Sequence, residues 1–164
     1  MNLSKNFSKA ELCKSQTAIR MGLNNNPTDD QTENLRLLCE RVLQPVRDHF
    51  NQVVHVTSGF RDPILSQKIG SSIDSQHCKG EAADVEIFGV ANNELADWIK
   101  SNLMFDQLIL EYHTPGEPNS GWVHVSYTKE INANRKEYLM ATKNATGKTE
   151  YKQILGLSTD RYVK

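Results

Sequence analysis

The stretch Ser75-Gln76-His77-Cys78-Lys79-Gly80-Glu81-Ala82-Ala83-Asp84 sets an imidazole in a loop and a carboxylate at the start of an extended run. Both side chains are ligands for borderline divalent cations. A second imidazole, His124, lies in Trp122-Val123-His124-Val125-Ser126, where alternation puts Trp122, His124 and Ser126 on one strand face and the valines on the other. Two histidines and one carboxylate make a three-ligand zinc set that leaves a fourth position for water, the composition of a catalytic centre. Cys13, Cys39 and Cys78 are odd in number and lack a Cys-x-x-Cys pair, so they read as packing thiols.

The rest of the composition narrows the class. In 164 residues, 38% are hydrophobic and 24% charged, with nine glycines and five prolines, as in a globular chain. That length suggests a single domain over 1–164. Nineteen basic against twenty acidic side chains give a net charge of −1, without the basic excess of a nucleic-acid binder. No apolar run is long enough for a membrane span, and MNLSKNFSKAEL lacks the apolar centre of a signal peptide. The sequence therefore predicts synthesis in the cytoplasm and no membrane insertion.

The elements that must position the candidate ligands are legible in outline. Ser8 with Glu11 has capping-box spacing and Phe7 with Leu12 staple spacing, predicting a short first helix ending near Ser15. Thr28 with Gln31 repeats the signal for a longer helix whose apolar face is Leu35, Leu38, Cys39, Val42, Leu43 and Val46, with Pro45 kinking or shortening it. Strands are predicted over Gln52–Thr57, Ala82–Phe88, Phe105–Tyr112 and Trp122–Tyr127, a weak helix over Ile64–Ile69 and a helix over Asn92–Leu103. Only the polar loop 113–121 separates the last two strands, so they should form an antiparallel hairpin. After Thr128 the chain is polar, with one edge strand around Tyr138–Thr142. The predicted class is α+β, N-terminal helices packed on a small, mainly antiparallel sheet.

Three motifs in order, SGFR at 58–61, SxHxxGxAxD at 75–84 and WVHVS at 122–126, resemble those of the zinc D-Ala-D-Ala carboxypeptidases and related peptidoglycan peptidases, whose zinc-site fold is shared with the hedgehog signalling domain. The resemblance spans most of residues 3–128, leaving 129–164 as a polar extension. It implies that His77, Asp84 and His124 hold one zinc ion, that Arg61 binds a substrate carboxylate or carbonyl oxygen, that Ser75 touches the substrate and that Gln76 lines the cleft. Gly80 and Ala82 would be backbone requirements. Many members carry an acidic residue three positions before the last ligand, where this chain has Gly121. In that respect the chain looks closer to a phage-associated branch in which a Glu ending the preceding strand is the general base, which implies Glu111. That assignment has a geometric condition: Glu111 must share a sheet face with His124, pairing opposite it or two residues away.

The implied activity is hydrolysis in peptidoglycan stem peptides, at a D-Ala-D-Ala end or an internal bond such as L-Ala-D-Glu. Action on the wall would follow release from the cell or incorporation in a phage particle. The rival from another class is a non-catalytic wall-binding or virion structural module that retains the zinc fold. His49 and His55 sit in no motif and are read as structural, and His113 shares the face parity of Glu111.

Overall fold

The computed structural model describes residues 1–158. Its N-terminal half is helical: α1 (Lys9–Cys13), α2 (Gln16–Met21), α3 (Asp29–Leu38) and α4 (Gln44–Phe50). Ser8 caps α1, and Thr28 with Gln31 closes both bonds of a capping box on α3. The helix α2 has no counterpart in the sequence reading; Ser15 caps it and Gly22 ends it in the left-handed conformation. Between α3 and α4 the backbone widens into a π-turn, Cys39–Leu43, just before Pro45. A proline ring in a regular turn would collide with the carbonyl four residues earlier, and the wider turn relieves that clash without ending the helix. All six apolar positions predicted for this face are fully buried.

Six strands follow in the spatial order β1-β2-β4-β3-β5-β6: β1 (His55–Ser58), β2 (Ala82–Glu86), β3 (Gln107–Glu111), β4 (Trp122–Ser126), β5 (Glu137–Lys143) and β6 (Thr149–Gln153). Helix α5 (Pro63–Lys68) follows β1, and α6 (Asn92–Asn102) links β2 to β3. Every pairing is antiparallel except β3 with β5. β3 and β4 form the expected hairpin, and the ends of β1 to β4 fall up to three residues inside the predicted spans, except that β1 runs one residue beyond its span to Ser58.

Two expectations for the C-terminal region are corrected. The Tyr138–Thr142 segment is no edge strand: as β5 it lies between β3 and β6. The polar stretch beyond it returns as β6, through a turn in which Asn144 Oδ1 accepts from Thr146 and Lys148. β6 was overlooked because Thr149–Gln153 lies at the sheet edge, largely exposed, and carries no apolar alternation.

One sheet face carries Ala83, Val85, Leu108, Leu110, Val123, Val125 and Tyr138, all buried against the helices in a single core cluster. His49, read as structural, stacks on Trp98 of α6 at 4.3 Å between ring centroids. The opposite face is free to build a site.

Asp106, just before β3, ties the C-terminal strands to the site. It accepts from Arg135 at 3.0 and 2.9 Å and from Gln76 Nε2 at 3.0 Å. Burial alone would raise this carboxyl, but the Arg135 hydrogen bonds outweigh burial and hold it below the ordinary range. Asp106→Asn is expected to cost about 2 kcal/mol, a fall of roughly 5 °C in Tm. Because the folded-state carboxyl titrates below the unfolded value of about 3.9, its stabilisation is complete above that value and is lost as pH falls below it and through the lower folded-state value. Thermal melts of both proteins from pH 7 to 3 should therefore run parallel at neutral pH and begin to draw together only at the acid end.

Candidate metal centre

β2 and β4 place the first two candidate ligands. Asp84 pairs directly with His124 across the antiparallel ladder, so both side chains leave the sheet on the same side. His77 comes from a 3₁₀ turn, Gln76–Lys79, whose first N–H groups are capped by Ser75 and whose end is Gly80 at φ +74°. A Cβ at Gly80 would lie 2.4 Å from the Gln31 carbonyl oxygen, so the turn needs glycine both for its dihedral and for its contact with α3. Gln31 and Asn34 of α3 hold the turn by donating to the Cys78 and Lys79 carbonyls.

One ligand atom from each of His77, Asp84 and His124 lies within 4.8 Å of the others. His77 Nδ1 is 2.7 Å from the Gly59 carbonyl oxygen, which can only accept, so Nδ1 carries a proton and Nε2 faces the centre. Nε2 stands 3.4 Å from Asp84 Oδ1, and His124 Nδ1 is 3.1 Å from the same oxygen. A lone pair of neutral His77 against a carboxylate oxygen calls for a proton or a cation between them, so the donor set fits a divalent ion. Burial would raise the Asp84 carboxyl, but the two imidazoles beside it, His124 first, hold it far below the ordinary range.

The condition on Glu111 is met. Glu111 pairs with Trp122 and Ile109 with His124, so residue 111 sits two positions from the partner of His124 on the same face. Burial raises the Glu111 carboxyl first and the charge of Asp84 raises it further, against His124, the Trp122 N–H and Arg61. A carboxylate tuned upward in a cleft has the properties of a general base.

Gly121 has a structural explanation. Its φ is +66°, and a Cβ there would lie 1.9 Å from the Glu111 carbonyl oxygen and 2.7 Å from the Tyr112 carbonyl carbon. No side chain fits, so in this backbone an acid cannot stand at 121 and the only acid near that end of the hairpin face is Glu111, among the described residues. Gly121→Ala is expected to cost about 3 kcal/mol or more through left-handed strain and overpacking, seen as a Tm about 10 °C lower. A Tm within 2 °C of wild type would show that the hairpin end relaxes freely.

Arg61, Ser75, Gln76, His77, Asp84, Glu111 and His124 all line one open cleft of about 540 Å³. Arg61 makes no ion pair with Asp62, which instead caps α5 through Ile64 N–H. Its Nε is buried without a hydrogen-bond partner among the described residues, and this donor belongs to the cleft wall. An unsatisfied donor there suits a substrate oxygen. Ser75 Oγ accepts from His77 N–H and Gln76 donates to Asp106, so each also braces the turn. His113 does not join the cleft. Tyr112 adopts φ +54°, which breaks the strand alternation after Glu111, and the buried His113 ring bonds Ser120 of the following loop.

Sequence reading missed two contributors. Asn25 clamps the loop that carries Arg61, donating to the Cys13 and Phe60 carbonyls and accepting from Asp62 N–H. Tyr151 of β6 lines the cleft. The Asn144-to-Gly147 turn signal between two strand-like runs could have revealed its hairpin.

Zinc-ligand chemistry beside a raised carboxylate on an α+β scaffold defines a metallopeptidase class. The family model described as Peptidase M15 matches residues 5–126, and the chain belongs to this family of zinc peptidases. Among curated proteins, none matches the chain. No helix of the described residues is long and apolar enough to cross a membrane.

Proposed function

We propose that the chain is a zinc peptidase hydrolysing peptide bonds in peptidoglycan stem peptides. The observation that carries this reading is the convergence of His77, Asp84 and His124 beside Glu111 in one open cleft. The stem-peptide substrate is supported by the resemblance of the SGFR, SxHxxGxAxD and WVHVS motifs to peptidoglycan peptidases. His77, Asp84 and His124 would hold one zinc ion, which when bound would supply Lewis-acid chemistry toward a carbonyl oxygen and lower the pKa of water.

The remaining work falls to the chain. Glu111, ionised, takes a proton from the attacking water and returns it to the leaving amine. Arg61 donates to the substrate oxygen on which negative charge grows. Ser75 and Gln76 border the bound peptide while fixing the His77 turn. The protein then acts on the wall after release or within a phage particle.

Elemental analysis followed by incubation with purified stem peptides, with product masses read by mass spectrometry, tests the proposal. One zinc per chain and a defined product mass is the expected result, and the mass identifies the bond. Zinc without any product would favour the non-catalytic wall-binding module, and cleavage of all-L peptides alone would move the substrate to ordinary proteins.

A further inference from the structure

The β5–β6 hairpin lies beyond the segment matched by the family model, yet it joins the cleft. Trp122 pairs with Glu111, Glu111 with Ala141, and Ala141 with Tyr151, so these four residues form one row across β4, β3, β5 and β6 on the site face. At about 4.8 Å between strands, the Tyr151 backbone stands roughly 10 Å from that of Glu111. Only the methyl of Ala141 lies between them, so no tall side chain separates phenol from carboxylate. The edge strand is held in place by Tyr112, whose hydroxyl lies 2.7 Å from Thr149 Oγ1 and whose ring packs 5.3 Å from that of Trp122. Tyr151 is 57% exposed, and no hydrogen bond among the described residues engages its hydroxyl. It is a positioned donor facing the cleft.

Resting on the peptidase reading above, we infer that Tyr151 is a substrate-contacting residue, its hydroxyl donating a hydrogen bond to a carbonyl or carboxylate oxygen of the peptide on the Glu111 side of the cleft. The C-terminal hairpin is thereby a specificity wall that lies outside the matched segment. The charge of Glu111 reaches the phenol: burial and then Glu111 raise it above the ordinary tyrosine value, which keeps the donor protonated.

The test is steady-state kinetics of the zinc-loaded protein on a purified stem peptide, comparing Tyr151→Phe, Tyr151→Ala and, on the opposite strand face, Lys152→Ala. Loss of the hydroxyl alone is expected to raise KM about three- to tenfold with kcat within twofold, as one net hydrogen bond would. Tyr151→Ala should raise it further, and Lys152→Ala should change neither constant. In a Glu111→Gln background, Tyr151→Phe should weaken calorimetric binding of the intact peptide by a similar factor. Wild-type KM and affinity in both Tyr151 variants, with an active parent, would overturn this inference alone. An inactive parent that binds no stem peptide would overturn the peptidase reading and this inference together.

Discussion

Glu111→Gln is expected to lower the rate of peptide hydrolysis by about 10²- to 10⁴-fold while leaving metal content and Tm unchanged. Glutamine keeps the shape of the side chain but cannot accept a proton, so the substitution isolates the proton transfer from packing. The site supports a large effect because no other acid takes that position: Gly121 admits no side chain, Asp84 belongs to the ligand set, and Asp74 enters the cleft from a different loop. Glu111 is also pushed upward by burial, which outweighs the opposing pull of His124, the Trp122 N–H and Arg61, so neutralising it removes a charge that its half-buried site disfavours. Rate constants for both proteins on the same stem peptide, with zinc measured on each sample, decide the matter. A variant with more than a tenth of wild-type activity would remove Glu111 from the mechanism.

His124→Ala is expected to weaken zinc affinity by more than a hundredfold, since loss of a direct ligand exceeds the 10- to 100-fold typical of losing a residue that merely orients one. The consequence should appear in stability without any assay of turnover. A ligand that binds only the folded chain, at a thousand times its Kd, stabilises by about 4 kcal/mol, or roughly 10 °C in Tm for a chain of this size. Zinc should therefore raise the wild-type Tm by about that amount, a chelator should abolish the gain, and His124→Ala at the same zinc concentration should keep no more than about a third of it. In the metal-free state the variant should also be less stable by about 1 to 3 kcal/mol, because Asp84, 14% exposed in its side chain, loses the hydrogen bond from His124. A full zinc-dependent gain in His124→Ala would mean that the ion binds elsewhere.

These two residues also mark how far the chain could be read without its structure. His124 was legible because alternation in Trp122–Ser126 is a local property: period two sets which side chains share a face wherever the strand ends up. The helical face from Leu35 to Val46 was legible for the same reason, with period 3.6 in place of two. Glu111 required more. Its strand was clear, but whether it faced His124 depended on register across a loop of uncertain path, and a shift of one residue would have reversed the answer. The Asp84–His124, Ile109–His124 and Ala141–Tyr151 pairings decided which carboxylate and which phenol reach the ligand group.

The turn that aims His77 and the clamp that Asn25 places on the Arg61 loop were illegible for a related reason. Each rests on hydrogen bonds between segments far apart in the chain, such as Asn25 with Phe60 and Gln31 with Cys78, and residue type alone does not name the partner. β6 was missed because an edge strand buries little and so carries no apolar pattern. Residue types and local periods thus determined the candidate ligand set, the helical face and most of the strands. Only the tertiary structure decided register, the exclusion of any side chain at 121 and the entry of Tyr151 into the cleft, because these depend on which distant backbones meet.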